Sequence, residues 1–378
     1  MQRGLSLDRR IDKDLNLVTN TTPPFHESAV LASVYSQKLD FARFIAICSI
    51  VWGHAVIVIP PTILKNYSYI HSFVLQSGKV GTVMFFIISG FFLNRKIETF
   101  TVPGYLRYRT FSLIVPWISC LSLYILILII DDLAFKEVVK ENAWVSIKSI
   151  VVLYKDFIFY TSYWFIPIAI LSSCILIVFK NFINKMWFGL ILLCITLFYD
   201  INFYYNWVSA LHTKAIFGYV FFVWLGIQIN AHLKIVDILL QKISWKVVVP
   251  LLIVGLWASC YEGWKLSLLG SADSYASLRF SNAIFSVVLF FSILKFKDID
   301  WLNYLHPRKY VFGIYLIHCI VISMLKPKIE KVLLSEGFFD TAIHLLIAQV
   351  LLFVFLFSLV QLIVIAIKES RFSAFLGR

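Results

Sequence analysis

Apolar residues in this chain run in long blocks rather than in the strict alternation of a half-buried strand. The blocks lie near 41–59, 80–94, 111–130, 162–179, 187–205, 214–230, 247–262, 279–295, 309–325 and 341–367. Apolar runs of about 18 residues or more predict bilayer-crossing helices. A helix satisfies its own backbone polar groups where no water is present. The pattern therefore predicts an all-α integral membrane protein, a bundle of about ten transmembrane helices. The segment 144–160 is apolar but dotted with Lys148, Lys155 and Asp156, so it is expected to lie in the membrane interface rather than to cross. Trp187, Tyr204 and Trp207 stand at block edges, where aromatic belts form. The chain shows no internal repeat of the kind on which many transporter folds are built.

Composition agrees. Hydrophobic residues make up 60% of the 378 and charged residues 15%, with a mean hydropathy of +0.84, against about 25% charged in soluble domains. The net charge of +13 does not call for a nucleic-acid partner, because Lys and Arg of membrane proteins collect in cytoplasmic loops and meet anionic lipid headgroups. The short loops 95–109 and 295–309 are both basic, which favours an N-in, C-in orientation. Residues 1–38 read as a loosely ordered polar cytoplasmic tail, 39–368 as one multi-span membrane domain, and 369–378 as a short cytoplasmic tail. The cysteines Cys48, Cys120, Cys174, Cys194, Cys260 and Cys319 all fall in or beside apolar blocks and form no CxxC pair. They read as small buried side chains, with neither a disulfide framework nor a metal site expected.

The first block carries the chemistry. Arg43 and His54 are eleven positions apart, which at 100° per residue is about 20° from three full turns, so both sit on one helix face about 16 Å apart along the axis. Asp40, three residues before Arg43, is placed to pair with it. Ionisable groups in a membrane are expensive and mark functional interiors. An interfacial anchor for Arg43 and a packing role for His54 are the bland alternatives, and the shared face argues against both.

Several stretches carry a family resemblance. "LDFARFIAICSIVWGHA" (39–55) resembles the first helix of the membrane-bound acyltransferase-3 family, an Asp, then Arg or Lys, then ten residues, then His. "GTVMFFIISGFFL" (81–93) is similar to the second-helix signature, an aromatic pair followed by Ser-Gly-Phe. "YLRYRTFSLIVPW" (105–117) resembles the basic segment, and "YWFIPIAIL" (163–171) and "FGIYLIHCIVI" (312–322) resemble two weaker landmarks. Cys319 stands where relatives often have Pro.

The resemblance implies an O-acyltransferase of the bacterial inner (cytoplasmic) membrane, moving an acyl group, usually acetyl, from acyl-coenzyme A to a sugar hydroxyl of a cell-envelope glycan. Its partners would be acyl-CoA, that glycan acceptor and membrane lipids, with acetyl-CoA as a substrate rather than a bound cofactor. His54 would act as the general base, since a neutral imidazole suits proton removal from an attacking hydroxyl. Ser89 would orient the acyl group or His54. Arg43, Arg107 and Arg109 would hold the donor's phosphates, with Asp40, Gly90, Trp164 and His318 in support. For Ser89 and Gly90 a plain helix-packing pair is the competing reading. The alternative class is a multi-span secondary transporter of an envelope precursor or small solute, which would usually show repeat symmetry and midplane acids.

Overall fold

The blocks fold as helices. The computed structural model describes residues 25–58, 61–130, 143–296, 304–335 and 341–377, and no strand occurs among them. The helices are α1 (Phe25–His54), α2 (Pro61–Ser77), α3 (Val80–Asn94), α4 (Val102–Arg109), α5 (Val115–Ile130), α6 (Ala143–Tyr160), α7 (Phe165–Val178), α8 (Met186–Tyr205), α9 (Val220–Ala231), α10 (Leu233–Lys242), α11 (Trp245–Leu268), α12 (Phe280–Lys295), α13 (Pro307–Ser335) and α14 (Ala342–Lys368). A wide π turn, Thr110–Ile114, joins α4 to α5.

Six continuous helical stretches are long and apolar enough to cross a membrane, and two bent pairs raise the number to eight if each pair is one span. The bends are 83° between α6 and α7 and 88° between α9 and α10. The first joins the segment 144–160, expected in the interface, to the apolar helix that follows it. The outward sides of α8, α11 and α14 expose Leu190, Leu251, Trp257, Leu351 and Leu362. Such a broad apolar surface is that of a lipid-facing wall rather than of a soluble monomer. The fold is that of a multi-pass membrane protein.

Three expectations change. Of the tail 1–38, residues 1–24 lie outside the described residues, while α1 already starts at Phe25. Tyr35 is buried and its hydroxyl donates to Asp237 Oδ1 at 2.8 Å, which ties the start of this helix to the bundle. The stretch between the blocks at 41–59 and 80–94 is largely α2, because Ser72 and Gln76 find buried partners at Cys260 O and Asn282. The block 214–230 becomes helical only at Val220, since 206–219 is held as a loop by Asn202, by a bond from Thr196 to Gly218 O and by Asp273. The C-terminal tail folds back: Leu376 is fully buried and Lys368 donates to Gly377 O.

Two helix crossings set the centre. A Cβ built on Gly90 would lie 1.8 Å from Val223 O, and one on Gly226 would lie 1.9 Å from Ile87 O, so α3 and α9 meet backbone to backbone through this reciprocal pair. At the break between α2 and α3, a Cβ on Gly78 would lie 2.5 Å from Gly53 Cα, which presses the end of α1 against that break. The loop ends also sort into two groups. Tyr35 meets Asp237, Asp40 meets Arg308, Asn94 meets Asn230, and Lys180 meets Glu98 O at one end. At the other, His212 meets Asp273, Ile57 meets Gln349 and Val58 meets Glu330.

Candidate active site

His54 is the last residue of α1 and is exposed into a cavity of about 140 Å³. The wall holds Ile50 and Gly53 of α1, Gly78, Lys79 and Thr82 at the α2–α3 break, Thr161, Ser162, Trp164 and Phe165 at the α6–α7 bend, His212, Thr213 and Ser277 from loops, and Tyr315 of α13. The helix stops at His54 because Gln349 of α14 takes over its backbone. Gln349 Oε1 accepts from Ile57 N at 2.9 Å, and its Nε2 donates to Ala55 O at 3.3 Å. Trp52 Nε1 donates to Val74 O at 2.7 Å and anchors the same turn to α2.

Beside His54 stands His318, with ring centroids 5.2 Å apart. His318 is fully buried, and its Nδ1 lies 2.7 Å from Tyr315 O and 3.2 Å from Ile314 O. Carbonyls only accept, so Nδ1 carries the proton, and in the neutral ring the lone pair is on Nε2. That Nε2 is 3.6 Å from Cys319 Sγ, which in turn lies 2.8 Å from Ser162 Oγ.

A third imidazole, His212, lines the cavity as well. His212 Nδ1 is bonded to Asp273 Oδ2, which also accepts from the His212 backbone N–H at 2.9 Å. In its neutral form this ring donates Nδ1–H to the carboxylate and presents Nε2 as an acceptor; protonated, it pairs with Asp273 as a cation. Trp164 packs edge-on against it, with centroids 5.1 Å apart. Burial works to raise the Asp273 carboxyl, but the charge and hydrogen bonds of His212, with Lys79 nearby, hold it below the usual carboxylate range. The Thr213 hydroxyl is buried on the same wall without a hydrogen bond among the described residues. A polar ligand in the cavity would supply one.

Three turns back along α1 the surface is basic. Arg43 pairs with Asp40, whose second oxygen accepts from Arg308 Nη2 at 3.0 Å. The Arg43 guanidinium also lies over the Phe92 ring at 4.5 Å. Arg43 therefore meets the C-terminal end of α3, while His54 shares the cavity wall with Lys79 and Thr82 at its N-terminal end. Both side chains face one helix, as their spacing requires. Arg109 lies over Tyr105 and Tyr108 at 5.4 Å each, with Lys96 over the same Tyr108, and its buried Nε has no partner among the described residues. Arg107 is exposed.

The structure thus brings His54, His318 and Trp164 together, and places Arg43 with Asp40 about three turns away on α1. Ser89 is not on the cavity wall: its hydroxyl donates to Phe85 O at 2.8 Å, within its own helix. Gly90 serves the α3–α9 crossing rather than the cavity. Lys79, His212, Asp273, Ser162 and Arg308 were not anticipated. His212 and Asp273 fall in two loops that the span pattern puts on the side of His54, which is the one signal the sequence carried for them. Compared with known families, residues 36–368 match the family model described as an acyltransferase domain. No curated protein and no solved structure matches. With nearly the whole chain matched, and with the motif of 39–55 lying on α1, which carries His54 and Arg43, and that of 81–93 on α3, which packs beside it, this protein belongs to the acyltransferase-3 family of membrane acyltransferases.

Proposed function

We propose that the protein transfers an acyl group, acetyl in the simplest case, from acyl-CoA on the cytoplasmic side to a sugar hydroxyl of an envelope glycan, in the inner membrane of a bacterium. One observation carries the reading: α1 ends in a polar cavity at His54 and, about 16 Å back along its axis, carries a basic cluster at Arg43. His54 takes the proton of the acceptor hydroxyl as its oxygen attacks the thioester carbon. The coenzyme A thiolate then leaves. Arg43, Arg109 and Arg107 bind the donor's phosphates, and the orphaned Nε of Arg109 suits such an anion. Asp40 and Arg308 steer the Arg43 fork. Trp164, His212 and the orphaned Thr213 hydroxyl meet the sugar.

In this reading α1 and the 16-residue α12 cross as well as the eight candidate spans, for ten crossings with both ends inside. The grouping of loop ends supports that alternation. The acyl group then travels on the pantetheine arm from the inner mouth to a cavity that opens outward. Right-side-out vesicles loaded with labelled acetyl-CoA test this directly. Label should appear on envelope glycan added outside, with no donor leaking. If transfer requires donor and acceptor on the same side, the through-membrane reading fails.

Donor binding has its own signature. Arg43→Lys, Arg107→Lys and Arg109→Lys keep the charge and lose the planar fork. Each is expected to raise the KM for acyl-CoA by roughly tenfold, the scale of one charge-assisted hydrogen bond, with the acceptor KM unchanged. A shift in the acceptor KM alone reverses the assignment of sides.

A further inference from the structure

We propose that His54, His318 and Cys319 together form a zinc-binding site, and that a bound zinc ion switches acyl transfer off. Their ligand atoms all lie within 4.8 Å of one another. A tetrahedral zinc with Zn–N of about 2.0–2.1 Å and Zn–S of about 2.3 Å sets its N and S ligands about 3.6 Å apart. His318 Nε2 and Cys319 Sγ are 3.6 Å apart already. The widest separation in the cluster has to close by roughly 1 Å to reach the same geometry.

The surroundings suit a metal. His318 gives its Nδ1–H to the Tyr315 carbonyl at 2.7 Å, the outer hydrogen bond that fixes the tautomer and ring of a metal-ligating histidine. The imidazole lone pair is therefore set before any ion arrives. His54 is exposed on the cavity wall, which supplies both an entry path and a water for the fourth position. Two imidazoles and one thiolate choose zinc over magnesium or calcium, which require oxygen ligands. On binding, the Cys319 thiol turns from Ser162, gives its proton to cavity water and bonds to the ion as thiolate. No oxidant or reductant is needed.

The inhibitory half rests on the reading of His54 as the base: a lone pair engaged by zinc cannot accept a hydroxyl proton. The binding half does not depend on it, and the two are separable by experiment. Protein purified in detergent and stripped with chelator is titrated with zinc alone, and with cobalt as a spectroscopic substitute. The wild type should bind about one equivalent, and its cobalt form should show a thiolate-to-metal charge-transfer band. Cys319→Ala and Cys319→Ser should lose the band and weaken binding by at least about 100-fold, since even an outer-shell partner is worth 10- to 100-fold. Low-micromolar zinc should inhibit transfer by the wild type, while both variants keep basal activity and resist the ion. A bound ion that survives Cys319 substitution, or no bound ion in the wild type, overturns the site. Cys319-dependent binding without inhibition overturns the switch and keeps the site. Binding in a protein with no transferase activity counts against the proposed function alone.

Discussion

Replacing His54 by Ala is expected to lower acyl transfer by at least about 100-fold, the usual scale of a lost general base, in protein that still folds. Its side chain ends a helix and points into a cavity, so its loss leaves no hole in the packed core. The turn it belongs to is held by groups that the substitution does not touch: the bonds between Gln349 and the backbone of Ala55 and Ile57, and the bond from Trp52 to Val74 O. The melting temperature and the gel-filtration profile in detergent should match those of the wild type. A level-matched His54→Ala preparation that acylates normally excludes His54 as the base. The imidazole of His212, on the cavity wall and held by Asp273, would then be the group to replace.

Arg279→Met is expected to do the opposite, removing the folded protein rather than its chemistry. Arg279 is fully buried at the start of α12. Its guanidinium donates to Ser259 O at 2.9 Å, to Ala276 O at 3.2 Å and to Gln76 Oε1, and lies 3.7 Å from Glu262. Glu262 also accepts from Tyr204 and Ser281, and Gln76 donates to Asn282 Oδ1 at 2.6 Å. This network clamps α2, α11 and α12 against the wall formed by Lys79 and Ser277. Removing the cation leaves the Glu262 carboxylate with only its Tyr204 and Ser281 donors and the Gln76 carbonyl without its guanidinium donor, at a cost of about 3–5 kcal/mol for a broken buried pair. Thermal unfolding in detergent should show a large drop for Arg279→Met. The double variant with Glu262→Gln should recover part of it, because it leaves no unpaired charge. A single variant that melts like the wild type would show that water already reaches this network.

The block pattern of the sequence carried the helical membrane fold, and the eleven-residue step from Arg43 to His54 carried their shared face. Both are properties of a single helix in a uniform apolar solvent. The period of 3.6 residues and the bilayer thickness then leave little freedom. Family membership was readable for the same reason, since its clearest motifs lie within single helices. The pairing of His212 with Asp273, sixty-one residues apart, was not. Neither was the placement of His318 and Cys319 against His54, or the Arg279 network across four helices. The roles of Ser89 and Gly90 also turn on which helix lies opposite, because a hydroxyl bonded within its own turn and a glycine under a crossing backbone look the same in sequence as a catalytic pair. Such contacts depend on crossing angles, on glycines that let α3 and α9 touch, and on loops whose conformation comes from partners far along the chain. Local periodicity carries no record of them.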